Sequence, residues 1–271
     1  MKKIVITCLL TGSMLYGAVS AETANTTVQK HSDETKQAVV TRGNVKIIEA
    51  TEKIRYISQE MAKEYLFLFK TPRPDETKAR LKQSLIALAD NLRIIATTTK
   101  DEDTKDILEF LAYSKDQIAQ IVSERVSEER AALMLDYSET LLEGADSIAQ
   151  THAYTFSKEE HMLIVTKKME YLIERMMKYY IALHVGFDNP TNNEQMRMAM
   201  KKFDENMKLI ESYAYPQEII MVENEMIHAW QANKDFFNRS ESLFIPKLML
   251  LSTSSMESLT SKLALYHNQN L

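Results

Sequence analysis

The residues best suited to chemistry lie in one stretch, positions 51–69. There Arg55, Ser58, Gln59 and Ala62 stand beside an apolar seam that includes Ile54 and Ile57. Steps of three and four residues put them on one flank of a helix. A guanidinium held on such a flank is a planar fork that fits a planar oxyanion. Small neighbours such as Ser58 and Ala62 let a second helix approach. The plain alternative is a surface arginine whose stem covers apolar neighbours while its head stays in water. Spacing alone leaves both readings open.

Other constellations carry less. Met196, Met198 and Met200 form a Met-x-Met-x-Met run, and thioethers are ligands for Cu(I). Met196, Met200 and Met207 nevertheless share a helical side and read as core. Met162, Met169 and Met176, seven apart, read as a seam filled by a pliable side chain. His152 and His161 flank a junction and are candidates for proximity. Glu225 and His228 have the spacing of a di-iron ligand pair, but only once, where such bundles need it on facing helices. No zinc-enzyme histidine pair, phosphate loop or nucleophile motif occurs. The expectation is no enzyme, no metal and no cofactor. Trp230 and, in the first half, Tyr113 are expected to pack inside.

These residues sit in a chain of 271 with 45% apolar residues and only 5 Gly and 5 Pro. Few breakers and much Leu, Met, Ala, Glu and Lys point to an all-α protein. Lys2 and Lys3, the apolar run 4–19 and Val19-Ser20-Ala21 have the pattern of a cleaved export signal over 1–21. It carries Cys8, the single cysteine. Residues 22–39 are polar and aperiodic, a disordered lead-in by composition. The expected location is periplasmic. Net charge is -5 with no basic cluster, so nucleic acid is not an expected partner.

Shifted by 115 positions, the sequence resembles itself. Thr51, Lys53, Tyr56, Met61, Lys63, Tyr65 and Leu68 fall on Thr166, Lys168, Tyr171, Met176, Lys178, Tyr180 and Leu183. Asn91 through Ile95 fall on Asn206 through Ile210, and Leu133-Met134-Leu135 on Leu248-Met249-Leu250. Helical periodicity alone would not preserve Lys, Asn and Tyr identities. Two modules follow, 40–153 and 155–267, each of four helices. In the first, the seams predict helices over 44–70 and 76–98, a third through Ile107, Leu111, Ile118 and Val122, and a fourth over about 127–152. Pro72 and Pro74 break the first pair, and Asp101 or Asp103 caps the third. In the second, Asp188-Asn189-Pro190 makes the first break, Pro216 suits a first helical turn, and Pro246 lies near the last helix start. Short links between long helices favour antiparallel neighbours. The predicted fold is two tandem up-and-down antiparallel four-helix bundles.

The run from Arg55 to Lys63, Arg-Tyr-Ile-Ser-Gln-Glu-Met-Ala-Lys, resembles the Arg-Met-Leu-Ser-Gln-Arg-Met-Ala-Lys stretch of PilJ-type sensory domains. That family is the N-terminal domain of type IV pili methyl-accepting chemotaxis transducers. The periplasmic sensors of nitrate/nitrite kinases are related. Tyr56 and Glu60 depart from the pattern, and Glu52 stands where a glycine is usual. The resemblance implies an extracytoplasmic ligand-sensing bundle in which Arg55, with Ser58 and Gln59, takes a small anion such as nitrate or nitrite. In the family's nitrate sensors the matching arginine works where the first helices of two protomers meet. That implies a homodimer through module 1 and output through a membrane-bound receptor. The second copy has Glu170, Ile173 and Glu174 at the matching positions and is degenerate. If both modules pair within one chain, Arg55 is expected to face the region of Glu170, whose carboxylate would compete with an anion. The competing class is a structural or adaptor protein with no small-molecule ligand.

Overall fold

Among the described residues there are eight helices: α1 Arg42–Phe67, α2 Pro74–Thr98, α3 Glu102–Ser123, α4 Glu128–Thr151, α5 Lys158–His184, α6 Pro190–Ser212, α7 Gln217–Asn238 and α8 Pro246–Gln269. They come from a computed structural model that describes residues 42–69, 74–240 and 243–271. Among these the protein is all-α and has no strand. The export signal over 1–21, with Cys8, and the lead-in over 22–39 lie outside the described residues, as do Pro72 and Arg73.

Local chemistry sets the helix ends. The Asp101 carboxylate accepts from Thr104 N at 2.8 Å and caps α3, while Asp103 falls within its first turn. Ser157 and Glu160 close a reciprocal capping box on α5, which satisfies two backbone donors at once. Asn189 caps α6 ahead of Pro190. Pro216 sits one position before α7, at the cap rather than within the first turn. At the far end of α5, Gly186 takes φ 113°, and Phe187 N then donates to Ala182 O at 3.0 Å. That left-handed residue turns the chain back onto the helix end, a geometry that favours glycine.

Two helices occupy the middle. Helix α1 packs against α2, α4 and α5, and α5 packs against α1, α6 and α8. The remaining neighbours are α2 with α3, α3 with α4, α6 with α7, and α7 with α8. Every residue from Tyr171 to Leu183 is buried, the pattern of a helix enclosed on all sides. The buried apolar residues of both halves make one continuous cluster. Of the seam expected on α2, Leu81, Leu88, Leu92 and Ile95 lie in it while Leu85 is half-buried against it, and Met134, Leu141, Ala145 and Ile148 of the α4 seam lie in it.

Positions 115 apart make matching interactions. Thr51 donates its hydroxyl to Ile48 O and Thr166 to Leu163 O, each at 2.7 Å. Met134 and Met249 are both fully buried. His152 and His267, at the ends of α4 and α8, both engage the region linking the second and third helices of their own half. His152 lies 3.1 Å from Thr104 Oγ1, and His267 Nε2 lies 2.9 Å from the Tyr215 hydroxyl.

Aromatic placement corrects one expectation. Trp230 is buried on α7, and its indole N–H donates to Asp204 Oδ1 at 2.7 Å. Tyr113, however, is 54% exposed. The buried side of α3 carries Leu108, Leu111, Ser114 and Ile118, and position 113 lies two residues, about 200° of turn, from Leu111.

Helix α4 also shows what close packing demands. A Cβ built on Gly144 would lie 2.5 Å from Leu111 Cδ2. Gly144→Val is therefore expected to destabilise by about 1–3 kcal/mol through overpacking, measured as a lower urea midpoint with an unchanged slope.

Candidate functional site

The polar flank of α1 is buried between α4 and α5. Arg55 is 6% exposed, and Ser58 and Gln59 are fully enclosed. The three predicted residues are brought together, but they are already bonded. Arg55 Nη1 donates to Glu52 Oε1 one turn back, and Arg55 Nε donates to Asp146 Oδ1 of α4 at 2.5 Å. Ser58 Oγ donates to Arg55 O at 2.8 Å. Gln59 Nε2 donates to Ser58 Oγ at 3.1 Å and to Ser138 O of α4 at 3.2 Å. Burial opposes the Arg55 charge, and the Glu52 and Asp146 carboxylates more than offset it. Burial in turn raises the Glu52 carboxyl above its ordinary range, against the pull of Arg55.

Pairing occurs within the chain, since α5 covers the side of α1 that carries the motif. The acidic groups at Arg55 are Glu52 and Asp146. Glu170 does not take that place: it accepts from Lys167 and from Ser261 Oγ of α8. The reason is register. The partner nearest the guanidinium comes from α4, the neighbour of α1 in its own half.

Two further ionic clusters line the centre. Lys178 of α5 is wholly buried and donates to Ser138 Oγ at 3.0 Å and to Glu139 Oε1 at 2.5 Å. Arg175 donates to Glu139 Oε2 at 2.5 Å and to Gln195 Oε1 at 2.7 Å. Burial, and then Arg175, push the Lys178 ammonium down to about 8 despite Glu139. Across the α1–α5 contact Lys63 donates to Glu174 Oε1 at 2.7 Å. The second Glu174 oxygen and Glu257 Oε1 of α8 are both buried without a hydrogen-bond partner. Burial first, then Glu174, raise the Glu257 carboxyl to about 9. Ser84 of α2 donates to Glu60 Oε2 at 3.0 Å.

A cleft of about 760 Å³ opens between α1, α5 and α8. Glu49, Glu52, Glu170 and Glu257 reach it, as do Lys53 and Lys167.

The other constellations separate. Met196 and Met200 point into the core while Met198 is 43% exposed, because neighbours two apart on a helix face different ways. His161 is exposed, whereas His152 is tied to Thr99 and Thr104. Among the described residues no group of three His, Cys, Asp or Glu side chains could hold a metal ion, and no helix is long and apolar enough to cross a membrane.

Sequence reasoning met Glu52 and Glu174 only as departures from the motif, and passed over Asp146, Glu139 and Glu257. One signal was present: Lys63 and Lys178 are paired by the repeat, and a lysine kept at a seam-adjacent position of both copies calls for a carboxylate opposite. No family model matches this chain, and neither a curated protein nor a solved structure matches it.

Proposed function

We propose that this chain is an exported helical ligand-binding protein of the PilJ-like sensory kind. It would be built of two tandem up-and-down four-helix modules, 40–153 and 155–267, meeting along α1 and α5. It takes a small anion such as nitrate or nitrite at Arg55, with Ser58 and Gln59, and acts from the periplasm through a membrane-bound receptor. One observation carries the reading: the motif-bearing flank of α1 is the buried junction of α1, α4 and α5, with a charged guanidinium at its centre. The matching interactions of positions 115 apart support the two-module plan.

An anion reaching Arg55 has to displace a carboxylate, and Asp146 is the one within reach, its side chain 41% exposed against 6% for Glu52. The expected result is saturable nitrate or nitrite binding by calorimetry, lost in Arg55→Ala and at least tenfold tighter in Asp146→Asn, where Nε has no anionic competitor. Absence of heat with both anions in all three proteins would remove the anion.

The adaptor reading has its own support, since Glu52 and Asp146 already pair Arg55 within the chain. Under it the protein presents its outer helices to a partner and no small ligand is needed. A homodimer through module 1 would use faces of α2 and α3, since α4 and α5 cover the polar flank of α1.

A further inference from the structure

We propose that the cleft between α1, α5 and α8 is a binding site for an organic ammonium ion carrying an apolar body. It rests on the two sides of the α1–α5 pair being built differently. On the α4 side, cations of the central helices meet carboxylates: Arg55 with Asp146, and Arg175 with Glu139. On the α8 side, the positions 115 residues away reverse or erase these charges. Glu170 stands for Arg55 and Glu60 for Arg175. The acidic row Glu139, Glu143 and Asp146 of α4 becomes the serine row Ser254, Ser258 and Ser261 of α8.

Two consequences follow from these exchanges. Serine is shorter than glutamate or aspartate, so the cleft stays open along the serine row, crossed by the Ser261 Oγ donation to Glu170 Oε1 at 3.0 Å. The central helices also present more carboxyl groups there than cations, with Glu52 Oε1 taken by Arg55 and Glu170 by Lys167. The carboxyl groups of Glu49, Glu52 and Glu170 line the cleft, with the protonated Glu257 beside them, against the two ammonium groups of Lys53 and Lys167. Lys167 is already held by Glu170 at 2.9 Å.

Glu52 gives an independent sign of a missing donor. It lines the cleft, is 7% exposed, and its Oε2 has no hydrogen-bond partner. A buried carboxylate oxygen without a donor is costly, and an incoming N–H group relieves that cost. The remaining lining supplies the complement for an apolar body: Tyr56, Leu163, Ile164 and Leu265. A cleft of about 760 Å³ lies within the range of roughly 300–1,000 Å³ usual for small-molecule sites.

The proposal stands apart from the anion reading, because it concerns the opposite charge and the side facing α8, with Glu52 shared between the two. The test uses the full chain with hexylamine as probe, hexanoate as the carboxylate of matched length, and potassium chloride at equal ionic strength. Hexylamine is expected to raise the melting temperature saturably, and hexanoate and the salt are not. Glu52→Gln should weaken hexylamine binding at least tenfold. Because that change also touches Arg55, Ser258→Trp serves as a second variant. Residue 258 is exposed, so its indole would fill the cleft without entering the core. Loss of the hexylamine shift in Ser258→Trp, at an unchanged starting melting temperature, supports the site. No shift in the parent protein, an equal shift in Ser258→Trp, or a shift with hexanoate overturns it. Loss of nitrate binding in Arg55→Ala bears on none of these outcomes.

Discussion

Glu139→Ala is expected to unfold about 3 kcal/mol more easily than the parent protein, the low end of the cost of breaking a buried ion pair. Glu139 receives Lys178 on one oxygen and Arg175 on the other. Lys178 is wholly buried, and its remaining partner would be the Ser138 hydroxyl. The ammonium is already held down to about 8 by burial. Without Glu139 it must give up its proton or stay charged beside Arg175 in a dry site, and either is costly. The low end applies because the Glu139 side chain is 24% exposed, so water reaches part of the site. Chemical denaturation at neutral pH measures the loss. Adding Lys178→Met to Glu139→Ala should return a large part of it, since replacing both members of a buried pair is milder than orphaning one. A single-variant loss under about 0.5 kcal/mol, the usual scale of a plain surface change, would show that this cluster does not hold α4 to α5.

The second large effect is a fall in stability as pH rises through neutrality. The Glu257 carboxyl, ordinarily near 4.5, is pushed up to about 9 in the folded chain by burial first and then by the neighbouring Glu174. The folded state thus binds a proton that the unfolded state releases. This contribution is complete below the unfolded value and is lost as pH rises toward the folded one. One such proton gives a slope of about 1.4 kcal/mol per pH unit, or roughly 3 kcal/mol between pH 6 and pH 8. The groups facing Glu257 are Glu174 of α5 and Lys63 and Glu60 of α1. Glu60, raised by burial and Glu174, adds in the same direction. His152, lowered by burial, opposes it near its own range. Comparison with Glu257→Gln subtracts the other groups, because the amide keeps a donor toward Glu174 and cannot ionise. The parent should lose stability across this window and the variant should stay nearly level. Parallel curves for the two proteins would show that Glu257 carries no extra proton.

Together these effects describe a molecule whose two central helices are held by charge as well as by apolar contact. Lys63 reaches Glu174 directly across the α1–α5 contact. Its repeat partner Lys178 turns instead to α4, because position 59, the equivalent of Glu174, is a glutamine. Gln59 meets the same residue, Ser138, through its backbone carbonyl.

Helix content and helix ends were legible in the sequence because both are set locally. Seam spacing marked the buried faces of α2 and α4, and Asp101, Asn189 and Pro246 marked where helices begin. The repeat was legible because side-chain identities, and not only polarity, persist at an interval of 115. Tyr113 shows the limit of that reasoning, since an aromatic on an amphipathic helix takes its side from the whole face and not from its own hydrophobicity. The sequence alone also identified the polar flank of Arg55, Ser58 and Gln59. Only the tertiary structure decided what meets it. Glu52 lies one turn away and Asp146 ninety-one residues along, and nothing in local spacing selects α4 over α5 or a second chain as the closing partner. The same holds for the cleft beside α8. The exchange of carboxylates for serines is written in the chain, but it becomes a cavity only once α8 is laid against α1 and α5, since an opening depends on which side chains fail to meet across a contact.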